Sequence, residues 1–592
     1  MRFNFPLDYD LILRKKRSIK RNLLEQDTTR FIQKKIAILG GSSTAEIKDF
    51  LEIFLLDLGI LPQFYESEYN KYYEDAIFGT QELEEFKPDI IYLHTSFVNL
   101  HFASLGTPIT KENKQNFITQ NCEKFLNMWK ALERFNGVII QNNFELPPHR
   151  LLGNLDCLQG RVGVVQELNI ALQNQIEKYP RVYLHDLNYL SSMLGLERYY
   201  DKSLFYQAKY AMSMESMIEI AFSLSRLIGS LFGKSKKALV LDLDNTCWGG
   251  VIGDDGLMGI SIGDETALGE GYSAFQQYAL DLKNRGVILA VCSKNEIENA
   301  KEGFSHPRSV LCVEDFACFM ANWNPKNENI ALIAKTLNIG EDSLVFVDDN
   351  PSEREIVRSQ LSSVSVPEVG DNVIDYITHL DRNYFFETPS LSQDDLKRSE
   401  YYLQNSQRLN EQSSFKSYEE FLQSLCMQAE ILEFSPIYLE RITQLINKTN
   451  QFNCTTKRYD FGMVESISKD EKYICLYGKL VDKYGDNGLI AISIGRIVED
   501  VCHLDLWLMS CRVLKRHMEY AMLDSFVEIA KKRGVKKLVG YYFKSPKNQM
   551  VANLYEDFGF DLVFKDEEQS LFELELKDYK NKNFIIGVNH DK

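Results

Sequence analysis

No stretch of this sequence is long and apolar enough to suggest a membrane span. The most apolar helical candidate, residues 217–233, is interrupted by Glu219 and Arg226. The N-terminus also lacks the sustained apolar core and small-residue cleavage site of a secretory signal. The 11 cysteines include no repeated CxxC pairs, which removes a disulfide framework or a structural zinc site and fits reduced thiols in a cytoplasm. Positive charge is short as well: 67 Lys and Arg stand against 84 Asp and Glu, a formal charge of -17, so general nucleic-acid binding is set aside. The one conspicuous basic run, Arg14 to Arg21 (RKKRSIKR), reads as a solvated helix face. Internal repeats and low-complexity tracts are missing too.

What remains is an ordinary globular composition, 44% hydrophobic and 26% charged, over 592 residues. A prior of roughly one domain per 150 residues implies three or four domains. Three blocks emerge. In the first (1–232), IAILGG, DIIYLHTS, GVIIQNN and VYLHDL read as buried strands separated by helices, the grammar of a parallel α/β sheet. The second (233–385) repeats that grammar with KALVLDLD, GVILAVCSKN and SLVFVDDN. A polar stretch, 386–416, reads as a helical linker, and an α+β block (417–592) follows. The expected class is α/β multidomain.

Each strand of the central block ends in polar residues: Asp242, Asp244 and Thr246, then Ser293, Lys294 and Asn295, then Asp348 and Asp349. Ligands of open α/β sheets bind at the carboxyl ends of strands, so these clusters converge on one site. Four carboxylates gathered there call for a hard divalent cation, and Mg2+ is the usual choice beside a phosphate. Lys326 adds a point charge suited to a phosphoryl group. A turn rich in Asp would explain a lone DxD, but not the ordered series.

DxDxT, a strand ending in Ser, a downstream Lys and an apolar strand ending in DD resemble the haloacid dehalogenase (HAD) phosphatase motifs, with their Rossmann-like α/β fold. The resemblance implies that Asp242 is the nucleophile and Asp244 the general acid and base. Ser293 and Lys326 would hold phosphoryl oxygens, helped by Thr246, Lys294 and Asn295. Asp242, the main-chain carbonyl of Asp244, and Asp348 or Asp349 would hold Mg2+. The wording "DLDNTCWGGVIGDDG", "AVCSKNE", "NWNPKNENI" and "VFVDDNPSEREIVR" is similar to the FkbH-like subgroup. That likeness implies dephosphorylation of 1,3-bisphosphoglycerate and transfer of the glyceryl unit to the phosphopantetheine thiol of an acyl carrier protein. Two alternatives stay open: a phosphatase of a small phosphorylated metabolite, and an acyl transferase acting on a sugar in surface-polysaccharide assembly.

The flanking blocks carry weaker likenesses. The C-terminal order of strand, helix, strand, helix resembles the acyl-CoA N-acyltransferase (GNAT-like) fold. Lys515 and His517 replace that family's small glycines, so acetyl-CoA use is not expected, whereas holding a pantetheine arm is. An enzyme thioester would need a cysteine: Cys511 is the first candidate, with Arg512 to depress its pKa, Cys292 the second and Cys247 the third. A small buried hydrophobe is the competing reading for each. His517 could act as a base, or lie on a helix surface. "AILGGSSTAE" looks like a degenerate SGNH-hydrolase opening, on a flavodoxin-like α/β domain, with Ser42 or Ser43 as nucleophile. The DxxH spacing is absent, and His94 and His185 read as structural, so the block is expected to dock or bind substrate.

Overall fold

In a computed structural model the described residues are 3–589, apart from 371, 399–400, 403, 406–407, 409–410, 412–414, 511–512 and 546. They form two compact units, one built on Leu7–Gly229 with Asp460–Met463, the other on Ser230–Tyr459 and the chain from Val464 onward.

The first unit carries a parallel sheet of β1 (Ile32–Gly40), β2 (Ile60–Glu66), β3 (Ile90–His94), β4 (Val138–Asn142) and β5 (Val182–His185), ordered β2-β1-β3-β4-β5. This is the doubly wound order of flavodoxin-like folds. Strand β2 was hidden in the sequence by Pro62 and its polar neighbours; at the sheet edge the missing N–H of proline is tolerated. The basic run lies on a helix, Tyr9–Leu24, but it is not wholly solvated. Lys16 pairs with Glu46 and Asp49 at 2.7 and 2.8 Å, and Lys20 with Glu52 at 2.6 Å, so one basic face lies on the acidic face of helix Ala45–Asp57.

The second unit holds two sheets. The smaller contains β6 (Ala238–Leu241), β7 (Ile288–Ser293), β8 (Phe316–Ala321) and β9 (Leu344–Val347), all parallel and ordered β8-β7-β6-β9. Successive side chains alternate between its faces. Leu239, Leu241, Val291 and Val347 meet Trp248 and Phe275 on one side. Val240, Ala290, Cys292 and Phe346 meet Ile330, Ile333 and Val357 on the other. Both faces are therefore apolar, and polar groups can gather only at the strand ends.

The larger sheet comprises β10 (Gln428–Glu433), β11 (Tyr473–Asp482), β12 (Gly485–Val498), β13 (Val501–Met509), β14 (Lys537–Phe543), β15 (Asp561–Lys565), β16 (Gln569–Glu575) and β17 (Gly587–Asn589). Its order is β15-β16-β14-β13-β12-β11-β10-β17. Strands β13 and β14 run parallel, but their ladder joins only Val501–Leu504 to Lys537–Gly540. Beyond it the strands part, and Phe452, Asn453 and Cys454 fill the gap. Cys454 N–H donates to Trp507 O (3.0 Å), Met509 N–H to Phe452 O (3.0 Å), and Phe543 N–H to Cys454 O (2.9 Å). The helix after β13 starts at Met518, later than the apolar pattern implies, because Lys515 and His517 sit at φ 63° and 65°, outside helical space.

The segment expected as a polar linker is packed instead. Asp395, Tyr401, Tyr402 and Arg408 are buried, and Arg408 pairs with buried Asp482 at 2.8 Å. Its charges read as solvated in the sequence because their partners lie far along the chain.

Candidate active site

Asp242 follows β6 directly, and its N–H is held by Val347 O of β9 at 2.9 Å. The chain then turns through Asn245, at φ 54°, which brings Thr246 back toward the end of β9. Asp349 N–H donates to Thr246 Oγ1 at 3.2 Å, and Asn350 N–H to Asp348 Oδ1 at 2.9 Å. Carboxylate oxygens of Asp242, Asp348 and Asp349 lie within 4.8 Å of one another, the one such grouping among the described residues. Lys326 opens the helix Lys326–Thr336 and bridges two of them, with Nζ 3.0 Å from Asp242 and 2.5 Å from Asp348. Burial alone would push this ammonium down, but the two carboxylates outweigh it and keep Lys326 charged. Asp348 and Asp349 are pushed up, first by burial and then by the charge of Asp242.

Asp244 points differently. Its Oδ1 accepts from Trp248 Nε1 (3.0 Å) and Ile252 N–H (3.1 Å), and its Oδ2 from Asn295 Nδ2 (3.0 Å). Three donors fix the carboxyl beside, rather than inside, the carboxylate group. Burial raises its pKa, which suits a group that must give up and recover a proton.

The remaining expected residues take different places. Ser293 is buried at the end of β7. Lys294 pairs with Glu353 at 2.6 Å. Asn295 orients Asp244. Cys247 donates to the carbonyl of Asp242 at 3.2 Å, and Cys292 lies among Ile330 and Ile333 on the helical face of the sheet. Burial pushes both thiols up, so neither is a ready thiolate. Cys511 and Arg512 lie outside the described residues. His517 packs edge-on against Tyr520, 5.3 Å between ring centres. In the first unit the Ser42 hydroxyl is buried without a partner, and Ser43 donates to Ala208 O at 2.6 Å. His94 and His185 both meet the Tyr92 hydroxyl at 3.1 Å, so among the described residues neither serine is bonded to a histidine.

Two supports went unnoticed in the sequence. Trp248 is buried, and its indole N–H aims Asp244. Arg354, buried within "DDNPSER", donates to the carbonyls of Asp348 and Asp349 at 2.8 and 2.7 Å and shapes the loop that carries them.

Residues 35–228 match the FkbH N-terminal domain family. The crystal structure of the N-terminal part of BF1531 from Bacteroides fragilis, which contains a phosphatase domain complexed with Mg, is 32% identical. The match covers 64% of this chain and 99% of that one, with a TM-score of 0.59. This chain belongs to the family of BF1531.

The BF1531 relationship spans both an FkbH-type N-terminal region and a phosphatase-like domain. The ribosomal-protein-S18-alanine N-acetyltransferase of Escherichia coli matches at 16% identity over 26% of this chain and 99% of its own, TM-score 0.21. No curated protein matches the chain. Among the described residues no helix is long and apolar enough to cross a membrane.

Proposed function

We propose that this chain is a Mg2+-dependent phosphatase of HAD type whose phosphate removal serves acyl transfer. The carrying observation is the grouping of Asp242, Asp348 and Asp349 around Lys326 at the carboxyl end of a parallel sheet. Three hard oxygen donors at this spacing fit Mg2+, with the Asp244 main-chain carbonyl as a fourth. When bound, the ion neutralises charge on the phosphoryl oxygens. The relative BF1531 was crystallised with Mg.

Asp242 attacks phosphorus, an aspartyl O–P bond forms, and the P–O bond to the leaving group breaks. Asp244, aimed by Trp248 and Asn295, protonates the departing oxygen. Water then attacks phosphorus, Asp244 takes its proton, the aspartyl O–P bond breaks and phosphate leaves. Lys326 holds Asp242 in position and faces the incoming phosphoryl oxygens.

In this reading the physiological substrate is 1,3-bisphosphoglycerate: the phosphopantetheine thiolate of an acyl carrier protein attacks the acyl carbon, the bond to the acyl phosphate breaks, and Asp242 removes the phosphate ester at C3. Its ten described cysteines are free, in keeping with a cytoplasmic setting. A second reading, a phosphatase of a small metabolite, is favoured by the filled gap between β13 and β14, which leaves an extended arm no strand edge there. Incubation with Mg2+, a 1,3-bisphosphoglycerate source and a phosphopantetheinylated carrier separates the two by intact mass. A glyceryl adduct on the carrier supports acyl loading. Phosphate release with an unmodified carrier supports the plain phosphatase.

A further inference from the structure

The second unit contains a cavity of about 490 Å³ well away from the carboxylate group. Its wall includes Lys237, which precedes β6, and Ser343, which precedes β9, whereas Asp242 and Asp348 follow those same strands. Five residue steps at about 3.3 Å each put the cavity roughly 16 Å from the nucleophile, at the other end of the strand. A ligand held there cannot present its phosphorus to Asp242.

The lining is basic in a protein of net charge -17. Lys237, Arg398, Arg441, Lys448 and Lys547 contribute, and Ser510 brings in the end of β13. Carboxylates pair with several of these cations. Asp395 alone is shared by Arg398, Arg441 and Lys448, the last at 3.2 Å, with Asp394 reaching Arg441 at 3.0 Å. Asp342 pairs with Lys547 and feels Lys236 and Lys237 as well. Among the described wall residues, five cations stand beside two carboxylates, Glu341 and Asp342. Burial lowers Lys234 and Lys448 to about 8, and neighbouring cations lower them further against the pull of Asp342 and Asp395. An incoming anion would relieve that crowding.

We propose that this cavity binds an organic phosphate ester, as a second ligand distinct from the phosphatase substrate. The volume falls within the range of about 300–1,000 Å³ typical of drug-sized ligands, more than a phosphate ion fills. The cations would take the phosphate, and Phe452 and Leu445 the less polar remainder. Free 4′-phosphopantetheine is the probe that carries both parts, and the test uses no turnover, so it stands or falls apart from the phosphatase reading.

The experiment is lysine acetylation footprinting of the full chain by peptide mass spectrometry, paired with calorimetry. 4′-Phosphopantetheine should protect Lys547, half-exposed at the cavity mouth, and leave Lys294 beside the carboxylate group unprotected. Pantetheine without phosphate, and inorganic phosphate alone, should each bind about tenfold more weakly or worse. Lys547→Glu should lower affinity by about tenfold and leave turnover of a small aryl phosphate unchanged, which also reports that the variant is folded. Lys448→Met should lower affinity in the same direction. Protection of Lys294 in place of Lys547, equal binding of pantetheine or of inorganic phosphate, or wild-type affinity in both variants would overturn the proposal.

Discussion

Replacing Lys326 by Met puts the electrostatics of the phosphatase site to a direct test. The ammonium is buried, 3.0 Å from Asp242 and 2.5 Å from Asp348, with Asp349 within reach of the same oxygens. At an effective dielectric of about 20, each contact corresponds to roughly 5–7 kcal/mol of gross Coulomb attraction. Much of that offsets the desolvation of the three groups, so the measurable quantity is the penalty for stranding the carboxylates, about 3–5 kcal/mol. Urea unfolding followed by tryptophan fluorescence reads it, because Trp248, Trp323 and Trp507 all lie in the second unit. In EDTA the variant should lose about 3–5 kcal/mol relative to the wild type. Saturating Mg2+ should narrow the gap, since a divalent cation replaces the missing positive charge. A loss below about 1 kcal/mol in EDTA would match an exposed ion pair and refute the buried bridge. A gap unchanged by Mg2+ would refute the carboxylates as its site.

Three further outcomes follow from particular residues. Asp242→Asn should abolish phosphate release with the fold intact by circular dichroism; wild-type release would remove the nucleophile assignment. Trp248→Phe deletes the indole donor to Asp244 and should lower kcat by about 10–100-fold, the usual effect of losing an orienting partner; an unchanged kcat would show that the donor does not matter. Glu145 is fully buried in the first unit, and burial lifts its pKa to about 7 against hydrogen bonds from Ser96 and Phe97 that lower it. A carboxyl raised in the folded state contributes stability below its unfolded value near 4.5, and that stability is lost as pH rises through 7. Glu145→Gln should therefore be more stable than wild type at pH 8, by up to about 3 kcal/mol, with little difference at pH 5. Equal stability at pH 8 would contradict the burial argument.

The central block was the most legible part of the sequence. An apolar strand ending in DxD, another ending in Ser-Lys-Asn and a third ending in DD state both a parallel sheet and which end of it is polar, since only the strand ends can leave an apolar sheet. The other blocks were legible in outline. Strand β2 was missed for Pro62, and β8, reading FACFMA, went unrecognised between clearer strands. The cysteine ranking could not be decided from spacing, because burial sets thiol reactivity and burial is a three-dimensional property. Cys247 and Cys292 prove to be core, while Cys511 lies outside the described residues.

By itself the sequence determined the alternation of strands and helices, the order of the carboxylates and lysine, and so the class of chemistry, because these follow from local periodicity and residue type. Tertiary structure alone decided that Asn295 serves Asp244 and that Lys294 turns to Glu353. It also decided that Phe452–Cys454 fills the gap between β13 and β14, and that a basic cavity lies at the opposite end of the strands of the phosphatase sheet. Each of these joins groups tens to hundreds of residues apart. No periodicity encodes such pairings; they arise when packed elements bring distant polar groups into the same dry space, where each must find a partner.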